Sequence, residues 1–304
     1  MVDQSEDVRP HGGAFLAERV GGLIDRAANV LRANAFERLT DGLITAGHWG
    51  LLAVALLGFM IQLAGASVHG FSAFVVGVGW LIGLPLLQYV AVQFVDANRS
   101  LVVSSRTPLG SRAFLRSYAL VALVAGLVSL ALALGRGIDA GSLGTFLYGL
   151  ALAGLCLATA WIALNPALVG IEVNQRTSAG EEAIGVVSFF VKTGVRLVPV
   201  FYGLAFVVGA VHVLIILLGM VGDSSLELRQ AIMRAGLIAP LLIGAALAPL
   251  IAYVVFVVYS LAIDLLRAIL SIPRELGGGA SKKKAAARSA RKKRAASASC
   301  QVTW

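Results

Sequence analysis

Six long apolar runs set the pattern of the chain. They cover Leu43–Ala66, Phe71–Phe94, Tyr118–Leu134, Gly144–Ile162, Leu197–Met220 and Ala235–Leu261. A helix of about twenty apolar residues crosses the hydrocarbon core of a bilayer, so each run predicts one transmembrane helix. Barrel strands would place a polar residue at every second position, whereas Leu120–Leu134 and Val213–Leu218 are apolar on nearly all faces. A helix also satisfies its own backbone hydrogen bonds in lipid. The predicted fold class is all-α: a polytopic integral membrane helical bundle of six transmembrane helices, preceded by an amphipathic helix.

That amphipathic helix comes from a second pattern ahead of the first run. Leu16, Val20, Leu23, Ile24, Ala27, Val30 and Leu31 recur on one helical face, while Glu18, Arg19, Asp25, Arg26 and Arg32 fall largely elsewhere. Such a helix lies in the cytoplasmic leaflet or docks a partner helix; alternatively it packs under the bundle and closes it. The implied organisation is a disordered N-terminus (1–13), an amphipathic interfacial helix (14–41), a six-helix transmembrane domain (42–272) and a disordered polybasic cytoplasmic tail (273–304).

Composition agrees with lipid as the main solvent. Mean hydropathy is +0.86, with 58% hydrophobic and 13% charged residues, where a soluble domain carries about a quarter charged. Charge position adds orientation. Of the 25 Lys and Arg residues, 22 fall in the N-terminal segment, the second and fourth connections and the tail. The other connections hold only Arg136, Arg229 and Arg234. By the positive-inside rule, both termini and the second and fourth connections are cytoplasmic, as an even number of spans requires. Seven acidic residues among the first 41 argue against a cleaved signal peptide. The excess of Arg over Lys, with abundant Ala, Gly, Leu and Val, points to a GC-rich bacterial genome and hence to the cell inner membrane. Trp49 and Trp80 are either interfacial anchors or residues packed between helices.

The second and fourth connections share a spaced pattern, Arg106-Thr107-x-x-Gly110-x-x-Ala113 against Arg176-Thr177-x-x-Gly180-x-x-Ala183. Both copies follow an even-numbered span, which suggests a duplicated, parallel two-helix unit. Thr107-Pro108 has the form of an N-cap followed by proline at the first helical position, and Ser178-x-x-Glu181 has capping-box spacing. Arg106 and Arg176, just before these caps, either bind a lipid phosphate bidentately or simply set topology. Glycine spacings such as Gly79-x-x-x-Gly83 and Ala205-x-x-x-Gly209 permit close helix crossing.

Beyond Gly277-Gly278-Gly279, the residues Lys282, Lys283, Lys284, Arg288, Arg291, Lys292, Lys293 and Arg294 form a polybasic segment with too little apolar content to fold alone. Beside an anionic leaflet each basic residue contributes about 1 kcal/mol of attraction. The expected partners are therefore membrane lipids with anionic headgroups, or a protein in the membrane or cytoplasm. Nucleic acid is disfavoured, because no aromatic residues are interleaved to stack on bases.

Chemistry is sparse. The six apolar runs contain no Asp, Glu, Lys or Arg in their interiors, only polar residues such as His48, Gln62, Gln88, Gln93 and His212, with Asn165-Pro166 at the end of the fourth. His212, Gln88 and Asn165 are the candidates for lining a solute pathway. Cys156 and Cys300 lack metal-site or disulfide-framework spacing. Motifs for serine or metal hydrolysis are missing, so neither a catalytic residue, a cofactor nor a metal is expected.

The stretch Asn165–Ile184, followed by Lys192 and a long span, resembles a pattern in bacterial six-helix membrane proteins related to the membrane domain attached to some glycerophosphodiester phosphodiesterases. There a span ends in Pro, an acidic residue follows, and a Gly-x-x-Ala helix start leads into the next span. The resemblance covers about fifty residues and implies a non-catalytic bundle. The function expected is that of a non-enzymatic membrane organiser or accessory subunit; the alternative is a transporter or channel for a small apolar or weakly polar solute.

Overall fold

A computed structural model describes residues 19, 21–22, 24–26, 30–139, 143–174, 179–220, 232–233, 235–236, 238–266 and 268. The polybasic tail, Arg176 and the first eighteen residues lie outside the described residues. The chain forms two units, 1–256 and 257–304; the described residues of the second are helical.

Six helices among the described residues are long and apolar enough to cross a membrane. They are α1 (Ala33–His69), α2 (Phe71–Ser104), α3 (Arg112–Asp139), α4 (Leu143–Leu164), α5 (Ala179–Gly219) and α6 (Ile238–Leu266). The chain is thus a multi-pass, all-α membrane bundle. Three of the six extend well past their apolar runs at one end. α1 starts at Ala33 instead of Leu43, α2 continues to Ser104, and α5 begins at Ala179, eighteen residues before Leu197. Hydropathy marks only the part of a helix that lipid surrounds; the further turns carry charge, exposed at Asp41 and Arg112 and buried at Lys192 and Arg196. At 1.5 Å per residue, the 41 residues of α5 span about 61 Å, roughly twice the hydrocarbon thickness.

The helices α1, α2, α5 and α6 share one apolar core around Leu51, Val54, Leu84, Tyr202, Phe206 and Leu242. Outward faces carry exposed Leu56, Leu63, Val121 and Leu127, as a lipid-facing surface does. α1 and α5 cross closely: a Cβ on Gly50 would lie 2.7 Å from the Phe206 carbonyl oxygen, and one on Gly203 would lie 2.5 Å from that of Leu43. Small residues at a crossing let backbones approach, here at Gly47, Gly50 and Gly203. Gly79 and Gly83, by contrast, have open space beyond them and border an apolar groove of about 230 Å³ between α2 and α6. Gly209 does serve a crossing, against Leu242.

The connections after α2 and α4 meet. Thr107–Leu109 (β1) pairs in parallel with Ile171–Val173 (β2), with Pro108 opposite Glu172. Thr107 N–H donates to the Gly170 carbonyl, and Asn174 N–H donates to that of Leu109. Those bonds fix Thr107 and Leu109 as the ladder residues, so the N–H that Pro108 lacks is not needed. Thr107-Pro108 is therefore a strand and not the predicted helix cap. The true cap of α3 is Ser111, whose hydroxyl accepts from Phe114 N–H at 3.1 Å. Thr177, the counterpart of Thr107 in the spaced repeat, lies outside the described residues.

A break at Leu31–Arg32 separates the helical residues before it from α1. It divides the predicted 14–41 helix: residues 33–41 belong to the first span. Asn165, just past α4, donates from Nδ2 to the Leu31 carbonyl freed at the break (2.8 Å), and Trp161 Nε1 of α4 (3.2 Å) joins the Ala35 and Phe36 N–H groups on the Arg32 carbonyl.

Candidate functional site at the sheet end of the bundle

The polar chemistry of the described residues gathers where β1 and β2 lie. Along α5, residues 182, 185, 189, 192 and 196 follow three- and four-residue spacing and so share one helix face. Glu182, Gly185, Phe189, Lys192 and Arg196 occupy these positions. This face holds β1 and the neighbouring helices.

Glu182 accepts from the backbone N–H groups of Gly110 and Ser111, the latter at 2.9 Å, and so pins the turn between β1 and α3. Three residues on, a Cβ at Gly185 would sit 2.6 Å from the Pro108 carbonyl oxygen; only glycine lets the strand lie so near the helix. Phe189 is fully buried and meets Phe114 and Tyr118 of α3 edge-on at 5.8 and 5.4 Å between ring centroids.

Lys192 is 1% exposed. Its ammonium donates to Thr107 Oγ1 at 2.7 Å and to the Ser105 carbonyl oxygen. Ser105 is the C-cap of α2, so a positive charge rests at the negative end of that helix and satisfies one of its free carbonyls. Arg196, one turn further, is 3% exposed. Its guanidinium bonds Glu37 of α1 and lies over the Phe36 ring, 5.8 Å from the centroid. Glu37 also meets Arg99 of α2 at 3.4 Å, and Arg99 pairs with Asp41 at 2.6 Å. One chain of alternating charges thus ties α5, α1 and α2 together. Among the described residues, Nε of Arg99 and Nε of Arg196 are buried without a hydrogen-bond partner.

The backbone adapts to this packing at Gly170, which has φ +62° and would put a Cβ 2.9 Å from the Val102 carbonyl oxygen. Positive φ disfavours any residue with a side chain. Further out, Arg106 pairs with Glu172 at 3.0 Å, and Arg116 pairs with Asp25 at 2.8 Å, both on exposed side chains. Exposed pairs such as these contribute little to stability.

The candidate pathway residues are not brought together. Asn165 ends α4 at the sheet end, donating to the Leu31 and Trp161 carbonyls. His212 lies against Gly144, at the opposite end of the same helix, with its ring 5.6 Å from that of Tyr148. The 21-residue interval from Gly144 to Asn165 separates them by about 31 Å of helix rise. His212 lies seven residues before the end of α5 at Gly219. Gln88 is half-buried on α2. Arg106, proposed for lipid phosphate, has Glu172 as its partner.

Sequence reasoning passed over Lys192, Arg196, Glu37, Asp41 and Arg99 as a structural unit because it placed Glu37 and Asp41 in the amphipathic helix and the other three in the second and fourth connections. A signal was present. Lys192 and Arg196 are four residues apart and flanked by Phe189, Phe190, Val195 and Leu197, the spacing of charges on the packed face of a helix. Compared with protein-family models, curated proteins and solved structures, the chain has no match.

Proposed function

We propose that the protein is a non-enzymatic organiser or accessory subunit of the bacterial inner membrane, with its sheet end toward the cytoplasm. Anionic lipid or a cytoplasmic partner engages that end and the polybasic tail. The observation that carries the reading is the use made of the two buried charges, Lys192 and Arg196, and of their partners. Lys192, Arg196, Glu37 and Arg99 bind one another or the backbone across α1, α2, α5 and β1, so they brace a platform. The positive-inside rule supports the orientation, because the N-terminal segment and the second and fourth connections hold twelve Lys and Arg residues against three in the first, third and fifth connections.

The test is purification of the full chain, and of a chain lacking residues 277–304, in mild detergent, with bound lipids and proteins identified. Enrichment of anionic lipid or of one stoichiometric partner, reduced by the deletion, is the expected result. An identical bound set with and without the tail, or turnover of labelled lipid by the purified protein, would contradict it. Reporter fusions at both termini check the orientation.

A further inference from the structure

At the sheet end a cavity of about 270 Å³ opens between residues 24–25, the start of α3 and the end of α4. Its floor is apolar, with Leu115, Ala163 and Leu164, and its rim carries Arg112, Arg116 and Asp25. Arg116 is already paired with Asp25 at 2.8 Å. Arg112 makes no ion pair among the described residues. Of the backbone amides at this helix start, those of Gly110 and Ser111 go to Glu182 and that of Phe114 goes to the Ser111 hydroxyl. The lining itself offers side-chain charge: a guanidinium outside any ion pair of the described residues at Arg112, a neutralised one at Arg116, and an apolar floor beneath them.

We propose that this cavity is a binding site for one anionic glycerophospholipid, with its phosphodiester on Arg112 and its glycerol and first acyl carbons over Leu115, Ala163 and Leu164. Three observations favour a lipid. Arg112 is the first residue of α3 and Leu164 the last of α4, so the rim lies where two membrane-crossing helices end, at headgroup level. The lining changes from charged to apolar within one cavity, as a phospholipid does between phosphate and acyl chain. The rim carries one net positive charge, which matches a singly charged phosphodiester; a zwitterionic headgroup would bring a cation to an Asp25 that Arg116 already holds. Guanidinium binds phosphate oxygens in a bidentate fork. The inference rests on the sheet end lying beside an anionic leaflet, as proposed above, and moves the phosphate contact from Arg106 to Arg112.

The experiment titrates the full, delipidated chain in detergent with phosphatidylglycerol, phosphatidylcholine or inorganic phosphate, and reads bound lipid by native mass spectrometry. Phosphatidylglycerol is expected to bind at one saturable site, ahead of phosphatidylcholine. Arg112→Gln weakens it about tenfold or more, as loss of a charge-assisted hydrogen bond implies, and Arg112→Lys recovers part of the loss. Arg106→Gln leaves the affinity unchanged. Asp25→Asn, at an exposed pair that folding does not need, tightens binding severalfold by freeing Arg116. Equal affinity in Arg112→Gln, an equal loss in Arg106→Gln, or inorganic phosphate displacing the lipid at matched concentration would overturn the assignment. Every variant keeps the tail and the titration is independent of orientation, so failure here is distinct from failure of the platform reading.

Discussion

Replacing Glu37 by Gln removes the carboxylate that Arg196 faces, and the consequences differ by partner. Arg196 is 3% exposed and cannot turn to water, whereas the Glu37 side chain is 39% exposed. Removing one member of a fully buried pair costs about 3–5 kcal/mol. With one partner partly in water, the expected loss is about 2–3 kcal/mol, and part of it is the repulsion of Arg196 by Arg99 once the carboxylate between them is gone. Arg196→Met should cost less, about 1 kcal/mol, because Glu37 keeps Arg99 at 3.4 Å and its access to solvent. Substituting both, as Glu37→Leu with Arg196→Met, should restore most of the stability, since an apolar pair of similar volume needs no compensation. Reversible unfolding in mixed micelles, followed by tryptophan fluorescence, measures all four proteins. Equal losses in the two single variants, each below about 0.5 kcal/mol, would show that the pair is solvated and the reasoning wrong.

Three further outcomes are expected. Gly185→Val should free β1 from α5, because its Cβ would meet the Pro108 carbonyl at 2.6 Å, and Gly170→Ala should cost about 1–2 kcal/mol from positive φ alone; unfolding midpoints measure both, and wild-type midpoints would contradict the strand packing. Gly50→Leu should prevent assembly of α1 on α5, while Gly79→Leu, with open space beyond it, should be tolerated; size-exclusion profiles in detergent separate the two, and the reverse order would refute the crossing. Glu182→Gln should speed amide hydrogen exchange at Gly110 and Ser111, the two N–H groups its carboxylate holds, and unchanged exchange there would remove Glu182 from the turn.

How much of this was legible in the sequence differs between the lipid-facing and protein-facing parts of each helix. The apolar stretches located all six spans because lipid demands apolar side chains on every outward face. The same criterion ended each prediction where charge began, so α5 was started at Leu197 and Lys192 and Arg196 became loop residues. A buried ammonium needs partners, and those partners, Ser105 and Thr107, are 87 and 85 residues away in the chain. Nothing local to Lys192 announces them. Thr107-Pro108 was misjudged for a similar reason. Threonine before proline starts helices, but it also suits a strand position, and only pairing with Ile171 decides between them. The glycines followed the same division. Gly79-x-x-x-Gly83 has the spacing of a crossing but faces a groove, while Gly47, Gly50 and Gly203 make the contact.

The central claim, that charge at the sheet end is enclosed by protein and braces the helices, is tested most directly at Lys192. Apart from it, every lysine in the chain lies between positions 282 and 293, so a single peptide reports it without ambiguity. A water-soluble amine-acylating reagent is applied to the full chain in native membranes, in mild detergent and after unfolding in denaturing detergent, and modification is read by mass spectrometry. Lys192 is predicted to stay unmodified in both native preparations and to react fully after unfolding. Modification of Lys192 in native membranes at the rate of the unfolded chain would contradict the account and return that residue to a solvated connection.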